Sequence, residues 1–224
     1  HYFSGYGGGR KAVLPGCAAM ETVRHNHSFM LDPNSGLGKT AGNPVYEDQM
    51  EGTALWAAAM QKRGCNVFLF NAILDAEHRF LRMFAGHYID AHIEACKFVD
   101  QVYGVKIKKQ ADVVIVSCGG YPKDINVYQM QKTMDNSVLA CRQGGVVILL
   151  AECEEGSGSK VLEETCKRLK TADAIEAELR KRFVIGANKA YAVTRLTKKA
   201  HFILVTGLDK KMAQEMLFTD AVGS

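Results

Sequence analysis

The second half of the chain alternates short, continuously apolar segments with longer amphipathic ones. Residues 113–117 (VVIVS) and residues 146–151 (VVILLA) are of the first kind and predict buried strands. Unbroken apolar strands that alternate with helices are typical of a parallel sheet covered on both faces. The other predicted strands are residues 183–185, 190–194 and 202–205, and the predicted helices are residues 126–143, 159–169, 173–182 and 209–217.

The first half of the chain has a less regular pattern. Residues 1–52 are rich in glycine and predict a packed, irregular surface with a functional role. A helix is predicted over residues 51–63 and a buried strand over residues 66–74 (NVFLFNAIL). Residues 77–103 have a long helical pattern, broken near Gly86. The pattern changes again within residues 94–107, and we expect a boundary between residues 1–104 and residues 105–224.

Composition narrows the classes of protein. Of the 224 residues, 47% are hydrophobic, so the chain can form a core and disorder is excluded. The formal net charge of +4 is too small to indicate a nucleic-acid partner. No apolar segment has the length of a transmembrane helix, so we expect no membrane partner. Seven scattered cysteines indicate reduced thiols and therefore a cytoplasmic location.

Residues 5–11 (GYGGGRK) form the first candidate site. Glycines let backbone amides approach an anion closely, and Arg10 and Lys11 would add positive charge. A flexible, solvated loop is an equally good interpretation of the glycines alone. The chain starts at His1, immediately before this segment, and we therefore expect it to be a fragment of a longer protein.

Two other segments suggest ligands. His25 and His27 would lie on opposite sides of a strand, so one of them could bind a metal while its neighbour supports it, although a structural histidine is the preferred interpretation. Residues 36–40 (GLGKT) resemble the end of a phosphate-binding P-loop. That pattern requires glycine at the place of Pro33, and residues 41–44 do not predict the helix that should follow. The sequence therefore argues against a P-loop.

Three residues near one predicted strand could act on a ligand. Cys118 follows residues 113–117 and could be a nucleophile, but no histidine lies near it in the sequence, and a buried, inert thiol is preferred.

Gln129 and Lys132 are three residues apart and would share one helix face, at the sheet edge where ligands bind. Their amide and ammonium groups would suit a small carboxylate, and a solvated helix face is the alternative.

Four segments together resemble one known family, the nickel-pincer lactate racemases, which includes related 2-hydroxyacid racemases and epimerases. The segments are residues 1–11 (HYFSGYGGGRK), 26–27 (NH), 42–45 (GNPV) and 118–132 (CGGYPKDINVYQMQK). The resemblance implies an α/β fold. Residues 105–224 would form a Rossmann-like, parallel-sheet carboxyl-terminal domain, and residues 1–104 would be the remainder of an amino-terminal α/β catalytic domain.

The resemblance also assigns roles in the first domain. Lys11 would bind the cofactor, a nickel-pincer pyridinium mononucleotide that is often attached through a covalent bond. His1 would be one of two acid/base histidines, and Ser4 would contact the cofactor. His27 would be the nickel ligand, with His25 as its neighbour.

In the second domain, the resemblance assigns Tyr128 and Gln129 to cofactor binding. It makes Lys132 a catalytic residue, which would hold the substrate carboxylate. The implied reaction is racemisation or epimerisation of a lactate-like 2-hydroxyacid. A histidine would remove the hydroxyl proton while hydride passes to the cofactor. Return of the hydride to the other face of the planar 2-keto acid would then invert the centre.

The chain also departs from the family pattern. The family has a preceding stretch with the second acid/base histidine, which we do not expect His78, His87 or His92 to replace. The fragment alone should therefore be inactive, unless the missing portion is supplied in cis or in trans. Residues 186–190 (GANKA) carry asparagine where the family usually has histidine. Two alternatives stay open: a non-catalytic family member that binds nickel or a nucleotide, and a transferase or hydrolase that uses Cys118 as its nucleophile.

Overall fold

The chain divides into two compact units, described by a computed structural model for residues 1–218 and, for the backbone, residues 220–223. The first unit is His1–Lys106 and the second is Ile107–Ser224. Both units combine helices with strands, and the predicted α/β class is confirmed. Within these residues, no helix has the length and apolar character needed to cross a lipid bilayer.

The first unit consists of helices around two small sheets. The helices are α1 (Met20–Ser28), α2 (Pro44–Lys62) and α3 (Asp90–Tyr103), and the strands are β1 (Ser4–Gly5), β2 (Gly36–Leu37), β3 (Leu69–Leu74) and β4 (Phe80–Gly86). Strand β1 pairs in parallel with β2, and β3 pairs with β4 as an antiparallel hairpin. Helix α3 packs on this hairpin.

Two predictions for the first unit are wrong. The helical pattern of residues 77–103 is helical only in α3, because residues 80–86 pair with β3 instead. The carboxylate of Asp75 accepts hydrogen bonds from the amides of Glu77 and Arg79, and it thereby forms the turn between the two strands. Residues 1–52 are not irregular throughout, since α1 lies within them and α2 begins at residue 44, earlier than predicted.

The second unit is built on one parallel sheet. Its strands are β5 (Ala111–Ser117), β6 (Cys141–Leu150), β7 (Ala200–Thr206) and β8 (Asp220–Gly223), and its helices are α4 (Val127–Ala140), α5 (Lys160–Leu169), α6 (Ala172–Lys181), α7 (Ala187–Thr197) and α8 (Lys210–Glu215). The spatial order β5-β6-β7-β8 follows the sequence, and every neighbouring pair is parallel.

The strands predicted over residues 183–185 and 190–194 do not form. Residues 190–194 belong to α7, in which Ala187, Ala190 and Val193 are buried at the three-residue spacing of a helix face. A short apolar segment fits either a buried strand or a buried helix, and here the packing of α7 on α4, α5 and α6 decides for the helix.

The sheet is covered on one face only. Leu149 and Leu204 are buried on the covered face, whereas Val113 and Ile115 of β5 are exposed, Ile115 to 72%. The strand order never reverses, so right-handed crossovers place the connecting helices on the same side. The prediction of a sheet covered on both faces is therefore wrong for the described residues.

Asn43 ties the start of α2 to the amino-terminal segment. Its Oδ1 accepts hydrogen bonds from the amides of Val45 (3.0 Å) and Tyr46 (3.3 Å). Its Nδ2 donates to the carbonyl oxygens of Phe3 (2.9 Å) and Lys39 (3.1 Å). This buried amide caps the helix, so residues 41–44 do start a helix, contrary to the sequence-based prediction.

Replacing Asn43 by alanine should lower the free energy of unfolding by about 2 kcal/mol, because the helix loses its cap and the carbonyls of Phe3 and Lys39 lose a donor. Urea unfolding followed by the fluorescence of Trp56, which lies in α2, measures this loss. Glu47→Gln changes an exposed side chain of the same turn and should cost less than about 0.5 kcal/mol. Equal losses in the two variants would contradict the prediction.

Candidate functional site

Arg10 organises the glycine-rich segment from its inner side. The guanidinium is buried, donates hydrogen bonds to the carbonyl oxygens of Ser4 and Tyr6, and lies 4.0 Å from the centroid of the Tyr46 ring. Burial lowers the pKa of Arg10 to about 10, so the group stays protonated at neutral pH. The expectation that Arg10 adds charge to an anion site is wrong, because the side chain faces the carbonyls of its own loop.

His92 of α3 supports the same loop. Its Nε2 lies 2.8 Å from the carbonyl oxygen of Gly7, and burial lowers the pKa of this imidazole. Gly9 has a φ of +53°, and a Cβ at this position would collide with the ring of His92. Glycine is therefore required at position 9 both by the backbone conformation and by the close approach of the imidazole.

His1, Ser4 and His27 meet around Phe3. The Ser4 hydroxyl oxygen lies 3.1 Å from Nδ1 of His1. The ring centroids of His1 and His27 lie 4.6 Å and 4.9 Å from that of Phe3, and Phe3 and Ser4 are both buried. The two imidazoles predicted for acid/base chemistry and nickel binding thus share one buried aromatic neighbour.

His27 lies in the last turn of α1, so the two histidines are on a helix and not on a strand. The neighbouring Asn26 is fully buried, and its Nδ2 donates to the Asp48 carboxylate of α2 at 2.8 Å. This contact sets the rotation of α1 against α2 and thereby the direction of the His27 side chain. His25 packs instead on Phe29, with ring centroids 5.0 Å apart.

A cavity of about 270 Å³ lies beside the glycine-rich segment. Its lining includes His1, Gly7, Gly8, Asn71, His92 and Cys96. Lys11 follows on the 3-10 turn Gly9–Ala12 and is half-buried. The first unit therefore combines a cavity, a histidine in its wall and a lysine on the adjoining turn.

Gln129 and Lys132 lie in the first turns of α4, after the carboxyl end of β5. The Lys132 ammonium donates to Oε1 of Gln129 at 2.7 Å, and the side chain of Asn126 caps the helix by accepting from the Gln129 amide at 3.1 Å. Lys132 is exposed and Gln129 is half-buried. The three-residue spacing thus places the amide and the ammonium side by side, as expected.

Tyr128 belongs to a buried polar network that was not predicted from the sequence. The ammonium of Lys189 lies 4.1 Å from the centroid of the Tyr128 ring and donates to Oε1 of Gln131 at 2.8 Å. Nε2 of Gln131 donates to the Asp135 carboxylate, which also accepts from Arg195. Burial raises the pKa of Asp135 to about 6.

Cys118 is a buried thiol with 6% of its surface exposed. Burial raises its pKa, which disfavours the thiolate needed for nucleophilic attack. His201, the histidine of the same unit, pairs with Val146 near the amino end of the sheet, whereas Cys118 follows the carboxyl end of β5. The geometry of this unit therefore gives Cys118 no histidine base.

Alkylation should separate the thiols by burial. We expect iodoacetamide to modify Cys17 and Cys65 first, because both are exposed, and to modify Cys118 only after unfolding. Peptide mass spectrometry after timed exposure measures the order of modification. Rapid alkylation of Cys118 in the folded protein would instead indicate an activated nucleophile.

Replacing Arg10 by methionine should lower the free energy of unfolding by about 3 kcal/mol, because the buried carbonyls of Ser4 and Tyr6 lose their donor. Amide hydrogen exchange in residues 5–9 should become faster in the same variant. Lys62→Met removes an exposed cation at the end of α2 and serves as the matched control. The proposed role of Arg10 fails if both variants have the stability of the unmodified chain.

Sequence and structure comparisons show which proteins this chain resembles. The family profile described as the lactate racemase C-terminal domain matches residues 106–223, and the lactate racemase N-terminal domain matches residues 1–38. Lactate racemase from Thermoanaerobacterium thermosaccharolyticum is 39% identical over 162 residues, and that from Lactiplantibacillus plantarum is 34% identical over 162 residues. Each alignment covers 71% of this chain and 36% of the relative, so the aligned part spans about a third of the length of these proteins.

Two solved structures share the fold. The lactate racemase apoprotein from Thermoanaerobacterium thermosaccharolyticum matches with a TM-score of 0.84 and 30% identity, over 99% of this chain and 52% of that one. A protein from Thermotoga maritima matches with a TM-score of 0.71 and 17% identity, over 99% of this chain and 57% of that one, which shows similarity of fold alone. The chain belongs to the lactate racemase family.

Proposed function

We propose that this chain carries part of the catalytic machinery of an isomerase that inverts the configuration of a lactate-like 2-hydroxyacid. The observation that carries this proposal is the contact of both His1 and His27 with Phe3, together with the position of His1 in the lining of the cavity beside the glycine-rich segment. The family relatives are lactate racemases, and the alignment of this chain covers about a third of their length. The complete activity would therefore draw on further segments of the kind present in those relatives.

We propose a nickel-pincer nucleotide as the cofactor that the first unit would hold. Among the described residues, no group of three or more His, Cys, Asp or Glu side chains could hold a metal ion. His27 would therefore be a single protein ligand for nickel, and the cofactor itself would provide the remaining ligands. Lys11 would hold the nucleotide through its side-chain amine. When bound, this group supplies the hydride acceptor that the reaction requires.

His1 would transfer the hydroxyl proton of the substrate. The contact of its Nδ1 with the Ser4 hydroxyl fixes the orientation of the ring, so Nε2 would act as the acid/base atom. Ser4 was expected to contact the cofactor. Because it is fully buried and its hydroxyl contacts His1, we propose that it positions this histidine.

Lys132 would bind the carboxylate of the 2-hydroxyacid. Its ammonium is exposed beside the Gln129 amide, in the second turn of α4. Tyr128 and Gln129 would contact the cofactor from the same helix turn. A carboxylate fixed in this way presents a defined face of the reacting carbon.

Metal and mass analysis test the cofactor. The polypeptide that carries this chain is produced together with the enzymes that build the pincer nucleotide, and we expect stoichiometric nickel and an increase in intact mass. Lys11→Ala should lose the mass adduct, and His27→Ala should lower nickel affinity by at least about tenfold. Lys62→Ala and His25→Ala are the matched controls and should retain both.

Chiral chromatography tests the reaction, since L-lactate should be converted into a mixture of both enantiomers. A protein that contains neither nickel nor a mass adduct would contradict the cofactor assignment. Nickel binding without any conversion would favour the non-catalytic alternative. If Lys11→Ala keeps the full activity, Lys11 does not belong to the site.

A further inference from the structure

Lys189 is a buried cation in the first turn of α7, with 4% of its surface exposed. Its ammonium lies over the ring of Tyr128, 4.1 Å from the centroid, and donates to Oε1 of Gln131 at 2.8 Å. Removing an ammonium from water is unfavourable, and a hydrocarbon side chain could pack α7 on α4 without that cost. The position therefore calls for a role besides packing.

The network holds the Lys189 ammonium in one place. The amide of Gln131 is fully buried, and because its Nε2 donates to Asp135, its Oε1 is turned towards Lys189. Arg195, which lies further along α7, donates to the carboxylate of Asp135. Gln131 and Asp135 belong to α4, so the two helices are linked at both ends of the network.

The ammonium in turn restricts the ring of Tyr128. A cation is attracted to the face of an aromatic ring and not to its edge, so the position of Nζ sets the plane of the phenol. Tyr128 is half-buried, and burial raises its pKa, which keeps the hydroxyl protonated at neutral pH. The next residue is Gln129, whose amide accepts from Lys132. The orientation of Tyr128 therefore bears directly on the wall of the proposed ligand site.

We propose that Lys189 is a positioning residue, which holds the Tyr128 ring in the orientation that binds the ligand. This inference rests on the proposed function, because that function assigns Tyr128, Gln129 and Lys132 to the site. Lys189 acts through Tyr128 and does not touch the substrate. Its charge is used to orient a neutral ring, and the neighbouring amide and carboxylate compensate that charge inside the protein.

The first measurement follows the Tyr128 ring itself. The chain is labelled with ¹³C in its tyrosine rings, and the Tyr128 resonance is assigned by its absence from Tyr128→Phe. We expect Lys189→Met to shift and broaden this resonance. Val193→Ala, which removes buried packing from the same helix and leaves the network intact, should not change it. An unchanged Tyr128 resonance in Lys189→Met would overturn the inference.

The second measurement uses the loaded enzyme. Lys189→Met should raise the KM for the 2-hydroxyacid by about tenfold, whereas Val193→Ala should change it less than about twofold, at a temperature where both variants are folded. In a Tyr128→Leu background, the change of Lys189 should have no further effect on KM, since the two residues act as one unit. If the changes in KM caused by the Lys189 and Tyr128 substitutions are additive, or if Lys189→Met and Val193→Ala change KM equally, Lys189 has a merely structural role. Either result would overturn the inference and leave the proposed function intact. If the unmodified enzyme has no turnover at all, the proposed function fails, and the inference fails with it.

Discussion

The buried guanidinium of Arg10 is the interaction on which the first unit depends. A glycine-rich segment has few side chains with which to pack, and its many carbonyl groups need donors when they are buried. Arg10 provides donors for Ser4 and Tyr6, and the ring of Tyr46 covers the guanidinium. His1 and Lys11 lie at the two ends of the segment that Arg10 folds, so their positions follow from this one side chain.

The second unit uses the same physical solution. Lys189 is also a buried cation that lies between an aromatic face and an oxygen acceptor. It contacts Tyr128, one of the residues that we assign to the ligand site. A cation that is removed from water keeps its place only where hydrogen bonds and an aromatic face replace the lost hydration. Such a group is rigid for that reason. Rigid support of this kind is what a site needs if its reacting groups are to stay in a productive geometry.

The parts of the fold that were predicted correctly have patterns with a local cause. Residues 146–151 and 202–205 are continuously apolar and contain several β-branched side chains, and residues 146–150 and 202–205 lie in strands β6 and β7 of the parallel sheet. Strand β4 and helix α7 were predicted wrongly because their apolar runs fit more than one element. Pairing with β3 decides the first case and packing against three helices decides the second. Neither partner is visible in the local pattern.

The sequence by itself determined the family, the α/β class and the residues to examine, because glycine spacing, a lysine after the loop and a helix that follows a strand are all local features. His1, Lys11, His27, Gln129 and Lys132 were selected from such segments and from the family resemblance that these segments carry. Only the tertiary structure showed that His1 and His27 share Phe3, that Arg10 faces inwards, and that Lys189 lies over Tyr128. The buried network had weak signals in the sequence, namely a lysine in residues 186–190 and the four-residue spacing of Gln131 and Asp135. Whether a charged side chain points to solvent or to the interior depends on neighbours that are distant in the sequence. These neighbours determine how much hydration the charged group loses and which hydrogen-bond partners can replace it.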